Sequence, residues 1–225
     1  MKFFDDKSKK TKWWNRNYFY FGTIIVVVTN ILLFHFLGGN FQSCIKIDNN
    51  GHWGEGFYFL PTLRAFLNAF SHSNWQHVLL NMLCFAGAGF YAERKTGTLG
   101  LLGLVVIGAY FSGIAVTTND LSIHYHGFSG VLYFFYAYVI VDYIFSFRTN
   151  RRNKTNIILG AIILCLMYLA MCFNDATSGI PFTWYPWDLL NNLGHGSSFV
   201  VGLVLALIIQ FSMLIERKCI KDKEN

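Results

Sequence analysis

Gly127-Phe128-Ser129-Gly130 opens an apolar run that continues to Phe147. Glycine on both sides of a serine lets the backbone turn tightly and leaves the hydroxyl uncovered. The helix predicted from the apolar run directs its N-terminal N–H groups and the positive end of its dipole towards the serine. Such groups stabilise an oxyanion. Serine is also a preferred N-cap residue, so this stretch alone fits a helix cap as well as a nucleophile.

The composition is that of a membrane protein. Of the 225 residues, 54% are hydrophobic and 13% are charged, whereas soluble domains have about 25% charged residues. Long apolar runs recur along the chain, which predicts an all-α protein with several membrane-spanning helices. The basic residues behind the net charge of +6 lie beside these runs. The charge therefore indicates contact with the lipid bilayer and no nucleic-acid partner.

Six apolar segments are candidates for membrane spans. We predict spans at residues 18–37, 77–92, 97–116, 129–147, 156–173 and 191–215. A basic segment (1–17) precedes them and a basic tail (216–225) follows. The first apolar stretch is too long for a typical signal-peptide core, and no A-x-A-like cleavage site follows it. We therefore interpret it as a retained helix.

The basic residues also predict the orientation of the spans. With the N-terminus inside, all Lys and Arg residues except Lys46 and Arg64 fall in cytoplasmic segments. The positive-inside rule therefore predicts that both termini are cytoplasmic. In this topology spans two, four and six begin at the extracytoplasmic face.

Each of these three spans begins with polar residues. His77 and Asn81 lie four positions apart, on one face of span two, and Ser129 begins span four. His195 lies near the start of span six, and small residues follow it at four-residue spacing, which allows close approach to a neighbouring helix. If that neighbour is span four, His195 lies beside Ser129, and the two form the minimal nucleophile–base pair.

These residues resemble the motifs of the rhomboid family of intramembrane serine proteases. The family's H-x-x-x-N motif matches His77–Asn81, and its G-x-S-G motif matches Gly127–Gly130. The histidine that opens the family's last core helix matches His195. The glycine three residues after that histidine is replaced here by Ser198. The resemblance covers residues 18–215, with the motifs in the family's order.

The resemblance implies a fold and a reaction. The fold would be a six-transmembrane-helix rhomboid bundle with cytoplasmic N- and C-termini. Ser129 would be the nucleophile and His195 the general base of a serine endopeptidase. His77, Asn81 and the backbone N–H of Ser129 would form the oxyanion hole. Tyr133 would pack against the base, although its spacing also fits an ordinary buried aromatic residue.

The resemblance also implies how the site is supported and what it acts on. Gly127 and Gly130 would shape the turn that carries the serine. No metal or organic cofactor is expected, and the substrates would be transmembrane segments of other membrane proteins. The expected location is a bacterial plasma membrane, with the active site opening to the extracytoplasmic side.

Three alternatives remain open at the level of sequence. The first is a catalytically inactive rhomboid-like protein that binds membrane-protein clients; such proteins typically lack the serine or the histidine. The second is a metal site among the seven histidines, although no H-E-x-x-H motif occurs and carboxylate or thiolate partners are scarce. The third is a transporter or channel, for which polar groups at mid-membrane and an internal repeat are typical.

Overall fold

The computed structural model describes residues 20–45, 61–117, 127–149, 158–166, 168–169 and 193–224. Every regular element within these residues is helical. The helices are α1 (Phe21–Ile45), α2 (Pro61–Asn68), α3 (Trp75–Thr117), α4 (Ser129–Thr149), α5 (158–166) and α6 (Leu193–Glu224).

Helix α3 contains both the second and the third predicted spans. Its apolar part, Trp75–Ile114, has 40 residues, and a straight helix of that length measures about 60 Å, twice the thickness of the hydrocarbon core. The backbone is not helical at Gly97, where φ is 72° and ψ is 171°. Glycine adopts this positive φ without steric cost. The break divides α3 into a first arm (75–96) and a second arm (98–117), each suited in length to one crossing.

Two helices run beyond the ends predicted from hydropathy. Helix α1 passes the predicted end at residue 37, has non-helical angles at Gly38 and continues to Ile45. Helix α6 continues through most of the predicted tail to Glu224. Part of the fifth predicted span is helical, and its remaining residues lie outside the described ranges. Hydropathy marks the part of a helix that suits hydrocarbon, whereas backbone hydrogen bonds determine where the helix ends.

Three described helices are long and apolar enough to cross a membrane, over Phe21–Gly38, Trp75–Ile114 and Gly194–Ile215. Helix α4 has a shorter apolar stretch, Ser129–Phe145. Large apolar side chains such as Leu83 and Leu99 are exposed on the outside of the bundle. Lipid covers such side chains in a membrane, so these surfaces agree with an integral membrane protein.

Helices α4 and α6 pack against each other in parallel. Near their first turns, the ring of Tyr133 lies on the ring of His195. Further along both helices, Phe145 packs edge-on against Phe211. Between these contacts the two backbones approach closely, because a Cβ atom built on Gly202 would lie 2.3 Å from the carbonyl oxygen of Phe134. Glycine in this position permits the close helix packing that small residues provide in membranes.

The first arm of α3 runs parallel to α4 on another side. Phe85 packs against Phe128 just before α4 begins, and Tyr91 hydrogen bonds Asp142 near the other end of α4. The first arm, α4 and α6 therefore start at one end of the bundle and finish at the other. We call the end where these helices start the serine end, after Ser129, and the end where they finish the carboxylate end.

The largest fully buried side chains include Tyr138, Phe85, Phe128, Phe134 and Phe135.

Helix α1 packs antiparallel to the first arm. At the serine end, Phe34 packs edge-on against Trp75, with ring centroids 4.9 Å apart. At the carboxylate end, the carboxylate of Glu93 accepts hydrogen bonds from the backbone N–H groups of Gly22 (2.8 Å) and Thr23 (2.9 Å). A carboxylate at a helix N-terminus satisfies orphan N–H groups and favours the helix dipole. Glu93 thus anchors the start of α1.

Candidate active site

The turn before α4 has a conformation that requires glycine. Gly127 has a φ of 113°, which an L side chain rarely adopts. A Cβ atom built there would also lie 2.6 Å from Cε1 of His77. The N–H of Gly127 donates a hydrogen bond to the carbonyl oxygen of Asn68 (3.2 Å). The backbone angle and the nearby ring of His77 therefore require glycine at position 127. The hydrogen bond to Asn68 holds the turn in place.

Ser129 is the first residue of α4 and is 8% exposed. The carbonyl oxygen of Phe128 accepts the helical hydrogen bond from the N–H of Leu132 (3.1 Å), so Phe128 occupies the N-cap position. The Oγ of Ser129 lies 2.8 Å from Nε2 of His195. The hydroxyl is thus directed at a histidine. This geometry argues against the simple helix-cap interpretation of the serine.

His195 lies in the first turn of α6 and is 8% exposed. Its ring stacks on Tyr133, with centroids 4.3 Å apart and planes 15° apart. Tyr133 follows Ser129 by four residues, so both side chains lie on the same face of α4. The stacked ring and the 2.8 Å contact to Ser129 together fix the orientation of the imidazole.

His77 and Asn81 border the other side of the turn, one helical turn apart on the first arm. A Cβ atom built on Gly127 would lie 2.8 Å from Nε2 of His77 and 3.6 Å from Nδ2 of Asn81. The Oγ of Ser73 lies 3.3 Å from Nδ1 of His77. If the Ser73 hydroxyl donates to Nδ1, the ring proton is on Nε2, which faces the turn. Both side chains then present N–H donors next to the backbone of Gly127.

The start of the first arm is also determined locally. The side-chain oxygen of Asn74 accepts a hydrogen bond from the N–H of His77 (2.8 Å), and its carbonyl oxygen accepts one from the N–H of Val78 (3.2 Å). Asn74 is therefore the N-cap of α3. This cap fixes the helical phase of His77 and, one turn later, of Asn81.

Two residues that we did not predict also hold the serine turn. Asn68 accepts the hydrogen bond from Gly127, and Nε2 of His72 lies 3.4 Å from the backbone nitrogen of Phe128. The ring of His72 also packs edge-on against His77, with centroids 5.1 Å apart. The sequence signal that was available was the proximity of His72 to the H-x-x-x-N motif.

The structure thus brings most of the predicted site residues together. Ser129, His195 and Tyr133 are in direct contact, and His77 and Asn81 lie beside the neighbouring turn. Gly127 forms that turn, and Gly130 is buried in the first turn of α4. Within the described ranges, no group of three His, Cys, Asp or Glu side chains is arranged to hold a metal ion.

This arrangement can perform nucleophilic chemistry. A serine hydroxyl lies within hydrogen-bond distance of a histidine nitrogen, which is the geometry of a nucleophile and its base. The serine is also in the first turn of a helix, whose N–H groups have no intrahelical acceptor. Amide and imidazole N–H groups lie nearby. The site therefore combines a nucleophile, a base and donors for a developing negative charge.

Comparison with known proteins identifies a family to which most of the chain is similar. Residues 61–211 match the sequence model of the Rhomboid domain, a range that includes all the predicted site residues. The chain is similar to proteins named Rhomboid protease GlpG from Salmonella paratyphi A, Salmonella newport and Salmonella typhi. The identity is 28% over 147 residues, which is 64% of this chain and 48% of each relative. The match thus spans about half the length of these relatives.

Proposed function

The chain belongs to the rhomboid family, and we propose that it is a serine endopeptidase that cleaves transmembrane segments of other membrane proteins. In this proposal Ser129 is the nucleophile and His195 is the general base. The observation that carries the assignment is the 2.8 Å distance between Ser129 Oγ and His195 Nε2 at the start of α4. The named relatives, which are rhomboid proteases, support the same reaction class.

Acylation begins when the serine attacks the scissile carbonyl carbon. With the ring proton of His195 on Nδ1, Nε2 accepts the proton of the Ser129 hydroxyl as Oγ forms the new C–O bond. The carbonyl oxygen becomes an oxyanion. His195 then donates its proton to the nitrogen of the leaving peptide, the C–N bond breaks, and an acyl-enzyme remains. In deacylation His195 takes a proton from water as the water oxygen forms a bond to the acyl carbon. The C–Oγ bond then breaks, His195 returns the proton to Oγ of Ser129, and the second product leaves with a new carboxyl group.

Three N–H donors stabilise the oxyanion in this mechanism. They are the backbone N–H of Ser129, Nε2 of His77 and Nδ2 of Asn81. The amide of Asn81 is buried, and its nitrogen has no hydrogen-bond partner in the described part of the chain. An uncommitted buried donor has more to gain from a developing negative charge than one that already has an acceptor.

Tyr133 supports the base rather than the reacting atoms. Its ring covers one face of His195, which restricts rotation of the imidazole and keeps Nε2 directed at the serine. An aromatic stack of this kind is worth about 0.5–1.5 kcal/mol beyond burial. We therefore assign Tyr133 as a positioning residue.

The substrate must be unwound before it is cut. A helical peptide bond uses its carbonyl oxygen in the i→i−4 hydrogen bond, so the carbonyl is shielded from attack until the segment opens. We propose that substrates enter from the bilayer. The positions of the Lys and Arg residues support cytoplasmic termini and a site that opens to the extracytoplasmic side. The relatives from Salmonella support a location in a bacterial plasma membrane.

A serine-reactive probe tests this function. The purified protein in detergent is treated with a fluorescent fluorophosphonate, and the wild type is compared with Ser129→Ala. We expect labelling of the wild type and none of the variant. The matched control is Ser197→Ala, because Ser197, like Ser129, lies near the start of a helix, but its hydroxyl donates a hydrogen bond to the carbonyl oxygen of Gly194. A folded wild type that is not labelled contradicts the proposal and favours an inactive, client-binding protein.

A further inference from the structure

Asp142 is the centre of a buried polar cluster at the carboxylate end. It is 4% exposed and lies in α4, 13 residues after Ser129. Its Oδ2 accepts a hydrogen bond from the hydroxyl of Tyr91 and pairs with Nζ of Lys95. Its Oδ1 accepts a hydrogen bond from Nε2 of Gln210 (2.9 Å). Both carboxylate oxygens therefore have partners.

The cluster joins the same three helices that carry the candidate active site. Tyr91 and Lys95 belong to the first arm of α3, Asp142 to α4 and Gln210 to α6. Each of these helices therefore contributes side chains to both the serine end and the carboxylate end. About 20 Å of helix separates the two sets of residues. A change in the register of any helix at the cluster is transmitted along this rigid length to the active site.

Helices α4 and α6 also contact each other closely between the two ends. At Gly202 the backbone of α6 lies directly against the backbone of α4 at Phe134. A small residue at this point allows the close approach, and Phe145 packs edge-on against Phe211 further towards the carboxylate end. This packing holds the two helices together, and directional hydrogen bonds at the two ends add to it. At the carboxylate end, Nε2 of Gln210 on α6 donates such a hydrogen bond to Oδ1 of Asp142 on α4.

A buried carboxylate is suited to this role. An ionisable group inside a membrane domain is costly and normally faces a partner. A buried ion pair often stabilises a fold no better than well-packed apolar side chains do, but its directional contacts favour one arrangement over others. Lys95 supplies the opposite charge, while Tyr91 and Gln210 supply the directional hydrogen bonds.

We propose that Asp142 is a positioning residue, which fixes the register of α4 against α6 and the first arm and thereby sets the geometry between Ser129 Oγ and His195 Nε2. The inference rests on the proposed function, because its effect is on the reactivity of that serine. A misplacement of 1 Å in reacting groups lowers a rate about 10²-fold. Loss of the register therefore slows acylation while leaving the binding of a small probe nearly unchanged.

The test measures probe kinetics on folded protein. Wild type and Ser129→Ala are compared first; absence of serine-dependent labelling there overturns the proposed function itself. The maximal labelling rate constant (kinact) and the half-saturating probe concentration (KI) are then measured for Asp142→Leu and Asp142→Asn. We expect Asp142→Leu to lower kinact about tenfold with KI within about twofold of wild type. Asn keeps hydrogen-bonding groups for Gln210 and Tyr91, so Asp142→Asn should stay within about threefold.

Two further variants separate positioning from stability. Gln210→Leu removes the tie between α4 and α6 but leaves the Lys95–Asp142 pair, so it should also lower kinact even if Asp142→Leu does not fold. Glu93→Gln is the matched control, because Glu93 is a buried carboxylate at the same end that ties α1, which carries no candidate site residue. It should lower the melting temperature without changing kinact. Wild-type kinact in folded Gln210→Leu or Asp142→Leu overturns the inference.

Discussion

The serine end and the carboxylate end of the bundle use polar groups in opposite ways. At the serine end, Nδ2 of Asn81, Nδ2 of Asn68 and Oγ of Ser198 are buried with no hydrogen-bond partner in the described residues. At the carboxylate end, Glu93 accepts four hydrogen bonds and both oxygens of Asp142 are engaged. Buried polar groups are normally satisfied. Unused donors near a nucleophile are available to a reaction intermediate, whereas satisfied carboxylates hold helices together.

The strongest way to test the contrast is to remove the base. His195→Ala should lower the cleavage of a membrane-embedded reporter substrate about 10⁶-fold, because the serine then loses its proton acceptor. The free energy of unfolding should fall by only about 1–2 kcal/mol, from the lost hydrogen bond and ring stack. Both quantities are measured in the same detergent. Cleavage above the Ser129→Ala level would measure how well water replaces the base, whereas wild-type cleavage would exclude His195 from the mechanism.

The second test removes an uncommitted donor. Asn81→Ala should lower the cleavage rate about 10²–10³-fold, the effect of losing one oxyanion donor. Stability should change little, because the Asn81 amide nitrogen has no partner to lose. Asn30→Ala is the matched control, since Asn30 is a buried asparagine on α1 whose amide donates to the carbonyl oxygen of Val26. Equal cleavage rates in the two variants would contradict a role for Asn81 in the oxyanion hole.

More of the serine end than of the carboxylate end could be predicted from the sequence, because its residues lie in recognisable local motifs. His77 and Asn81 form a motif at helical spacing, and Ser129 lies between glycines, so each can be recognised from local sequence. The partners of Asp142 lie 51 and 68 residues away on other helices, and no local pattern pairs them. The available signal was an acidic residue inside an apolar run, which in a membrane span predicts a partner without identifying it.

The sequence predicted the approximate positions of the long helices but not every element of the fold. The apolar runs gave the approximate positions of the helices, because apolar side chains must cover any backbone that lies in hydrocarbon. They did not give α2, which precedes the first arm, or the extension of α6 to Glu224. Neither feature produces an apolar run of spanning length. Hydropathy did separate the spans that end at residue 92 and begin at residue 97, but the form of the break, a single non-helical residue at Gly97, depends on the backbone angles of that residue.

The third test acts at the carboxylate end. Glu93→Ala removes the acceptor of the N–H groups of Gly22 and Thr23 and of two threonine hydroxyls. Leaving such buried donors unsatisfied costs about 1–3 kcal/mol, so the free energy of unfolding should fall by about that amount. The cleavage rate per folded molecule should be unchanged. If Glu93→Ala instead lost activity while keeping its stability, the two ends of the bundle would not have separate roles in catalysis and stability.

The last and smallest effect concerns an unused group at the serine end that has no assigned role. Ser198 is fully buried on α6, three residues after His195, and its hydroxyl has no partner in the described residues. Removing an unsatisfied buried hydroxyl relieves a desolvation cost, so Ser198→Ala should raise the free energy of unfolding by about 1 kcal/mol. Cleavage should stay at the wild-type rate. A marked fall in cleavage would instead mean that this hydroxyl takes part in positioning His195. The buried polar groups without partners at the serine end would then all serve the reaction.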